Sequence, residues 1–358
     1  MIDKQLRDRY SRQTMFPGIG EAGQERLSKS TAVLIGCGAL GCTSAGLLAR
    51  AGVGRIRIVD RDFIERHNLQ RQVLFDEEDI EAGLPKAVAA ARHLKKANSS
   101  IEIEAVVADV NCTNIEELCS GADLILDGTD NFETRFLVND AALKHGIPWI
   151  YGGAVGSEGM TMTIVPKQPP CFRCASEAAP EPGTVPTCET AGVLGMAPAL
   201  VGALQAAEAI KILTGVTAVS RELVFADVWK GTFHRVKVEP RKDCPACQGK
   251  YEFLTSRFDI KSTSLCGQSR AVQVVDANVK AIDLEKLASR LKKAGPVVRS
   301  EFMLSFTADG HHIVVFPDGR AIIKNTIDQS RAKELYDRYI GPLARGNASA
   351  RAVQTKHG

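Results

Sequence analysis

The 358-residue chain lacks the features that would assign it to a membrane, to secretion or to nucleic acid. Its first residues, MIDKQLRDRYSRQ, contain no apolar core of a signal peptide, and no uninterrupted apolar run is long enough to span a bilayer. The most apolar segment, MAPALVGALQAAEAIKIL, carries Gln205, Glu208 and Lys211, so we predict a buried helix around 196–213. A formal charge of +3 is too small to indicate nucleic acid. We expect a cytoplasmic protein with no membrane or nucleic-acid partner.

The chain has ten cysteines but no secretory signal, which favours reduced thiols that serve as metal ligands or nucleophiles. Two Cys-x-x-Cys knuckles stand out, in QPPCFRC and DCPAC, and the prolines favour tight turns. Four thiolates suit a closed tetrahedral Zn²⁺ site, whereas a redox Cys-x-x-Cys usually occurs once. We predict structural zinc on Cys171, Cys174, Cys244 and Cys247.

Short apolar runs alternate with helical stretches up to about residue 150, which predicts a Rossmann-like, doubly wound α/β sheet. Its parallel first half should be extended by antiparallel strands in MTMTIVP, LVFADVW and FHRVKVE. From about Ser262 the pattern indicates a small α+β domain with a turn at PDG, 317–319. We predict a large domain at 1–250 with the zinc knuckles, a small α+β domain at 262–342 and a disordered tail at 343–358.

The glycine-rich segment GCGALG, 36–41, lies between the strand TAVLI and a helix, and Asp60 closes the next strand. This arrangement is typical of a Rossmann nucleotide site. Gly36 permits a tight turn, Gly38 lets phosphate approach the backbone and Gly41 allows close helix packing. Asp60 would accept hydrogen bonds from a ribose hydroxyl. NAD, FAD and ATP proteins share the motif, and a purely structural turn is also compatible with it.

Additional charged and polar groups favour ATP over a dinucleotide. A dinucleotide pyrophosphate carries about two charges, whereas ATP carries about four and needs cations and a metal-binding carboxylate. The candidates are Arg12, Arg71, Gln72, Lys86, Asp130 and Asn131. Taken singly, each has an ordinary alternative: a solvated surface charge or, for Asp130, the cap of a helix that begins near Phe132. Beyond the carboxyl ends of parallel strands they would together form a site.

These motifs resemble those of the bacterial sulfur-carrier activating family that includes ThiF and MoeB, relatives of the eukaryotic ubiquitin-activating enzymes. The resemblance spans roughly 240 residues in the family's order: RYSRQ at 9–13, GCGALG, VDRDFIERHNLQRQ at 59–72, PKA at 85–87, DGTDNFETR at 127–135, CFRC, TCETAGVLG and CPAC. The family loop usually has a third glycine where this chain has Ala39, and a methyl group there would crowd the phosphates slightly.

The resemblance implies ATP-dependent adenylylation with Mg²⁺. It implies that Asp60 holds the ribose, that Lys86 neutralises phosphate and that Asp130 associates with magnesium. The implied nucleotide-binding set is Gly36, Gly38, Ala39, Gly41, Asp60, Asp62, Asn68, Gln70, Arg71, Gln72, Lys86, Asp130 and Asn131. The implied catalytic set is Arg12, Arg71, Lys86, Asp130 and Cys188, with Arg12 reaching across the interface of a homodimer.

Cys188 follows a stretch rich in Gly, Pro and Thr, where the family bears a cysteine that can form a thioester or acyl-disulfide with its carrier. A non-essential loop thiol is the alternative. The implied partners are a ubiquitin-like sulfur-carrier protein ending in Gly-Gly and a sulfurtransferase or cysteine desulfurase as sulfur donor.

The stretch after Ser262 resembles an extension of some thiamin-branch members, and no rhodanese active-site loop is evident. We therefore favour a ThiS-type carrier in thiazole biosynthesis over a MoaD-type carrier in molybdopterin biosynthesis. Two other classes stay open. An NAD-dependent oxidoreductase would leave unexplained the joint presence of Arg12, Arg71, Lys86 and Asp130. A non-catalytic zinc-stabilised scaffold is suggested by Ala39 alone.

Overall fold

A computed structural model of the chain describes residues 8–180, 184, 187, 190–216, 218–255, 261–265, 271–276, 279, 281–292 and 295–341. The chain divides between residues 256 and 257 into two compact units. Cys188 and the predicted tail at 343–358 lie outside the described residues.

The first unit is built on an eight-stranded sheet. Its strands are β1 (Thr31–Ile35), β2 (Arg55–Val59), β3 (Glu102–Val106), β4 (Leu124–Asp127), β5 (Trp149–Val155), β6 (Glu158–Ile164), β7 (Leu223–Asp227) and β8 (Thr232–Val236). They lie in the order β3-β2-β1-β4-β5-β6-β7-β8, parallel from β3 to β5 and antiparallel from β5 to β8. The predicted fold class is confirmed. The strand order reverses between β1 and β4, so the expected ligand crevice is at their carboxyl ends.

Helices cover both faces of this sheet. They are α1 (Ser11–Thr14), α2 (Gly20–Lys29), α3 (Ala39–Ala51), α4 (Glu77–Glu81), α5 (Lys86–Ala97), α6 (Ile115–Leu118), α7 (Phe132–His145), α8 (Phe172–Ala175), α9 (Met196–Thr214) and α10 (Glu252–Thr255), with 3₁₀ turns at Arg66–Asn68 and Ala246–Gln248. Pro85 stands directly before α5, where its missing N–H leaves no helical hydrogen bond unmade. Alternation along β1 separates two cores: Leu34 packs with α3, α5 and α9, and Ile35 packs with α7.

Helix α9 is long and apolar enough to cross a membrane by length and composition, a test that the core helix of a folded domain also passes. Its buried residues include Val201, Gln205 and Ala209, and it packs against α3 and β5. The prediction of a buried helix here is confirmed.

The second unit contains a six-stranded antiparallel sheet in the order β11-β12-β13-β14-β10-β9. Its strands are β9 (Lys261–Leu265), β10 (Ala271–Val275), β11 (Val297–Arg299), β12 (Leu304–Ala308), β13 (His311–Val315) and β14 (Ala321–Lys324), and its helices are α11 (Leu284–Leu291) and α12 (Gln329–Tyr339). Leu287 of α11 and Leu335 of α12 are buried in one core with the sheet. The PDG turn joins β13 to β14 as predicted, with Gly319 at a φ of +87°.

Candidate active site

The loops after β1 and β4 touch through glycines. Gly36 has a φ of +88°, and a Cβ atom added there would lie 2.7 Å from the carbonyl carbon of Gly128. A Cβ atom at Gly128 would lie 2.2 Å from the Gly36 oxygen, and one at Gly41 would lie 2.3 Å from the same oxygen. Only glycine fits at these contacts. The geometric reasons predicted for Gly36 and Gly41 therefore hold, and Gly128 is a further requirement that sequence reasoning missed.

Asp60, at the end of β2, ties the glycine loop to the sheet. Its Oδ2 accepts a hydrogen bond from the Cys37 amide at 2.6 Å, and its Oδ1 accepts one from the Asp62 amide at 2.7 Å. Burial raises the pKa of Asp60, while the Lys86 charge opposes the rise. Each carboxylate oxygen can accept a second hydrogen bond, which leaves capacity for a ribose hydroxyl.

Lys86 begins α5 and faces a group of carboxylates. It is 7% exposed, and its Nζ donates to Asp62 Oδ2 at 3.1 Å. Burial favours the neutral amine, but Asp62, Asp60 and Asp130 outweigh this effect and raise the pKa of Lys86 above its ordinary value. The structure thus brings together four predicted residues and keeps the ammonium charged.

Arg61 is a second cation at this edge that sequence reasoning missed. Its Nη1 donates to Asp109 Oδ1 at 2.8 Å, and Asp109 follows β3. Burial opposes the charge, but Asp109, Asp62 and Asp130 raise the pKa of Arg61. The signal was its place between two aspartates in VDRD, directly after a buried strand.

Asp130 does not cap α7. The cap is Asn131, whose Oδ1 accepts a hydrogen bond from the Thr134 amide at 2.8 Å, so the capping alternative for Asp130 is wrong. Asp130 is exposed, and its charge acts on Lys86 and Arg61. An exposed carboxylate is the type of oxygen ligand that Mg²⁺ takes.

The turn at 127–130, which carries Asp130, begins at a buried ion pair that the sequence did not indicate. Asp127 Oδ2 is 3.2 Å from Arg135 Nε, and Asp127 Oδ1 accepts hydrogen bonds from the amide and hydroxyl of Thr129. Arg135 Nη2 donates to the carbonyl oxygens of Thr129 and Gly152 at 2.7 and 3.1 Å. Burial raises the pKa of Asp127 and opposes the charge of Arg135, which Asp127 stabilises. The pair fixes the turn that carries Asp130.

The HNLQRQ segment forms a compact turn. Asn68 Oδ1 accepts a hydrogen bond from the Glu65 amide at 3.0 Å, and Arg71 Nη1 donates to the His67 carbonyl at 2.8 Å. Gln72 is buried, and its Oε1 has no hydrogen-bond partner among the described residues. Gln70 is exposed, and a Cβ atom at Gly195 would lie 2.9 Å from its carbonyl oxygen. The turn therefore lies against the start of α9.

Arg12 is not brought to this group within the chain. It lies exposed in α1, with Nη1 3.8 Å from Met15 Sδ. Over the described residues no ion pair joins it to the glycine loop or to the carboxylates around Lys86.

Ala39 is half-buried and is the first residue of α3, directly after the cap residue Gly38.

The two Cys-x-x-Cys knuckles converge. Cys171 Sγ lies 3.6 Å from Cys244 Sγ, Cys174 Sγ lies 3.7 Å from Cys247 Sγ, and all four sulfurs lie within 4.8 Å of one another. Asn139 supports the site, because its Nδ2 is 3.9 Å from Cys171 Sγ and its Oδ1 accepts a hydrogen bond from the Phe172 amide. Tetrahedral Zn²⁺ with Zn–S bonds of about 2.3 Å would separate its sulfurs by about 3.8 Å. The cluster fits such an ion.

The chain is similar to known proteins over most of its length. The ThiF family model matches residues 10–246. The sulfur carrier protein ThiS adenylyltransferase of Bacillus subtilis is 44% identical over 337 residues, covering 93% of this chain and 99% of that protein. The adenylyltransferase and sulfurtransferase MOCS3 of Xenopus laevis is 39% identical over 246 residues, 68% of this chain and 54% of that protein. The crystal structure of E. coli MccB with MccA-N7isoASN shares the fold, with a TM-score of 0.60 and 24% identity over 67% of this chain and 74% of that one.

Proposed function

The chain belongs to the ThiF family, and from this membership we propose that it adenylylates the C-terminal glycine carboxylate of a ThiS-type sulfur-carrier protein, with ATP as the nucleotide donor. The observation that carries the proposal is the gathering of Asp60, Lys86 and Asp130 around the glycine loop at the switch point of the sheet. A nicotinamide enzyme has no need of this clustered charge.

Coverage of the relatives favours a ThiS-type over a MoaD-type carrier. Similarity to the ThiS adenylyltransferase covers 93% of the chain, so it extends through most of the second unit. Similarity to the MOCS3 protein covers 68% of the chain and about half of that protein. A MoaD-type carrier in molybdopterin biosynthesis remains the second candidate, supported by the 39% identity to this relative.

In the reaction, a carboxylate oxygen of the carrier forms a bond to the α-phosphorus of ATP while the bond from that phosphorus to the bridging oxygen of pyrophosphate breaks. The products are an acyl-adenylate and pyrophosphate. No general base is required, because the carboxylate is already a nucleophile at neutral pH. The chain's task is therefore to position two anions against each other and to neutralise them.

We assign these tasks to the charged residues of the site. Lys86 and Arg71 neutralise the phosphates, Asp60 holds the ribose, and the start of α3 offers backbone amides to phosphate. Asp130 would hold Mg²⁺, which when bound supplies positive charge to the phosphates. In this assignment Arg12 of the partner subunit completes the site of a homodimer, which explains why Arg12 lies apart from the site within one chain.

The four-cysteine cluster is proposed to hold structural zinc. With four thiolates, no coordination position is left open for water, so the ion would stabilise the fold and take no part in adenylylation. Cys188 is assigned a later step, in which its thiolate attacks the carbonyl carbon of the acyl-adenylate, forms a thioester with the carrier and displaces AMP. Its replacement by serine should therefore leave adenylylation intact.

ATP–pyrophosphate exchange tests the proposal. The wild-type protein should exchange labelled pyrophosphate into ATP only with Mg²⁺ and a ThiS-type carrier ending in Gly-Gly, and not with the same carrier lacking its last glycine. Asp130→Ala should abolish exchange with zinc content unchanged, and Cys188→Ser should retain it. Exchange with a MoaD-type carrier alone would transfer the assignment to the second candidate. Absence of exchange with both carriers, with binding of NAD instead of ATP, would overturn adenylylation.

A further inference from the structure

Gln205 is a fully buried amide in the middle of the apolar helix α9. Its Nε2 donates to the Asp127 carbonyl at 2.8 Å and to the Ile150 carbonyl at 3.1 Å. The paired register of β4 and β5 ends at Leu126 and Ile150, so this one amide group binds carbonyl oxygens where the ladder between the strands stops. A buried amide is costly unless it is hydrogen-bonded, so the hydrogen bonds of Gln205 are what allow a polar side chain at this position of an apolar helix.

The surroundings of Gln205 are built to admit it. A Cβ atom at Gly152 would lie 2.5 Å from Gln205 Nε2, so Gly152 provides the space for the amide. On the other side, Gln205 Oε1 lies 3.1 Å from the hydroxyl of Ser44 in α3, which also approaches the carbonyl oxygens of Leu40 and Gly202. The side chain thus links the helix of the phosphate loop to the end of β4.

The Asp127–Asp130 turn is consequently fixed from both faces of the sheet. Arg135, on α7, binds the Asp127 carboxylate on one face, and Gln205, on α9, binds the Asp127 carbonyl from the other. Asp130 is three residues beyond this anchored position, in the turn that contacts Gly36 through Gly128. A shift of the turn would move the metal-binding carboxylate relative to the phosphate loop.

We propose that Gln205 is a positioning residue for adenylylation, which fixes the turn carrying Asp130 in register with the helix that begins the phosphate loop. This inference rests on the proposed function. It assigns no contact with substrate to Gln205, which acts through the backbone of Asp127. A displacement of reacting groups by about 1 Å can cost on the order of 100-fold in rate, so one anchoring amide can matter for catalysis.

The test compares two variants of α9. Gln205→Met keeps the length of the side chain and removes its hydrogen bonds, whereas Val201→Ala removes buried volume from the same helix and has no polar group to lose. Both should lower the midpoint of urea unfolding. We expect Gln205→Met alone to raise the Mg²⁺ concentration for half-maximal exchange by about 10-fold or more and to lower kcat/KM for ATP by about 10- to 100-fold. Equal activity of the two variants at equal stability would overturn the inference.

Gln205→Glu adds a signature that a purely structural role would not give. A buried carboxyl group has a raised pKa, and its protonated form can donate to the Asp127 carbonyl, whereas its ionised form repels both carbonyl oxygens. Exchange by folded Gln205→Glu should therefore recover towards wild type as the pH falls, and a pH profile parallel to that of the wild type would contradict the role. This variant also serves if Gln205→Met does not fold.

The wild-type protein separates failure of the inference from failure of the proposed function. If the wild type gives no exchange with any carrier, adenylylation fails. Gln205→Met and Val201→Ala are then compared by their Mg²⁺-dependent affinity for ATP, measured by calorimetry. Weaker binding by Gln205→Met than by Val201→Ala would support the positioning role, and equal binding would overturn it.

Discussion

Lys86 Nζ lies 3.1 Å from Asp62 Oδ2, in an ion pair whose lysine is almost completely buried. The surrounding carboxylates raise the pKa of this lysine, so it carries its charge throughout the neutral pH range. Asp62 accepts a hydrogen bond from the ammonium group that we assign to phosphate. Binding of ATP would therefore exchange one anionic partner of Lys86 for another and need not desolvate a free lysine.

Lys86→Met should abolish most of the exchange activity. It leaves Asp60, Asp62 and Asp130 facing the phosphates with one positive charge fewer, and we expect kcat/KM for ATP to fall by about 100-fold or more, as for other charge-stabilising groups. Lys96→Met is the matched control, because Lys96 lies exposed on the same helix. Equal exchange by the two variants would show that the buried ammonium has no part in the reaction.

Gly128→Ala should destabilise the protein through a contact between two backbones. The added methyl carbon would lie 2.2 Å from the Gly36 oxygen, and no side-chain rotation can relieve that clash. Overpacking of this kind typically costs about 1–3 kcal/mol in the free energy of unfolding. Gly46→Ala is the control, since its methyl group would lie 3.7 Å from Leu74 Cδ2 and alanine favours the helix. In urea unfolding, the free energy of unfolding of Gly46→Ala should equal or exceed that of the wild type, and that of Gly128→Ala should be lower.

The parts of the site that could be predicted from sequence are those encoded in local motifs. The spacing of Gly36, Gly38 and Gly41 is typical of a turn between a strand and a helix, here β1 and α3. Asp60 directly follows β2, the neighbouring strand. The cysteine knuckles could also be paired, because each places two sulfurs within one turn and four thiolates suit one ion.

The contacts that sequence reasoning missed are non-local. Gln205 meets the Asp127 carbonyl across 78 residues, and no local pattern relates α9 to β4. Asp127 ends β4 and Arg135 lies in α7, and the pair forms because the chain turns back between the two elements. The role that we propose for Arg12 needs a second subunit, so one chain cannot display it.

Zinc should stabilise the first unit. Cys247→Ser changes an exposed member of the cluster, so it should remove bound zinc without creating a buried cavity, and it should lower the thermal midpoint. The metal content can be measured by atomic emission on the purified chain, with Cys112→Ser, outside the cluster, as the control. A full equivalent of zinc retained by Cys247→Ser would contradict a four-cysteine site.

Mixed dimers should reveal whether Arg12 acts in its partner's site. Arg12→Ala and Lys86→Met should each be inactive alone, because each homodimer lacks one cation in both sites. If Arg12 completes the neighbouring site, random exchange of subunits yields half heterodimers with one intact site each, so roughly a quarter of wild-type exchange should return. Activity that stays near zero in a mixture with proven subunit exchange would place Arg12 in its own chain's site, and an active Arg12→Ala homodimer would place it outside catalysis.

Asp140 should make stability fall with rising pH in the weakly acidic range. This carboxyl group is fully buried on α7, and its Oδ2 accepts a hydrogen bond from the Phe253 amide at 3.0 Å. Burial raises its pKa from 3.8 to about 6, against the opposing effects of that amide and of Arg173. The folded chain therefore binds a proton more tightly than the unfolded chain. This stabilisation is fully present below about pH 3.8 and is lost as the pH rises through about 6.

Asp140→Asn isolates this effect, because the amide oxygen can still accept from Phe253 and the side chain no longer ionises. Relative to wild type, the variant should gain stability as the pH rises from 4.5 to 7, by about 2 kcal/mol. Urea unfolding of both proteins at each pH measures the difference, in which contributions from the cysteines, histidines and other carboxyl groups cancel. A difference that stays constant over this range would mean that Asp140 is already ionised at pH 4.5 and that its burial is fully compensated by the groups around it.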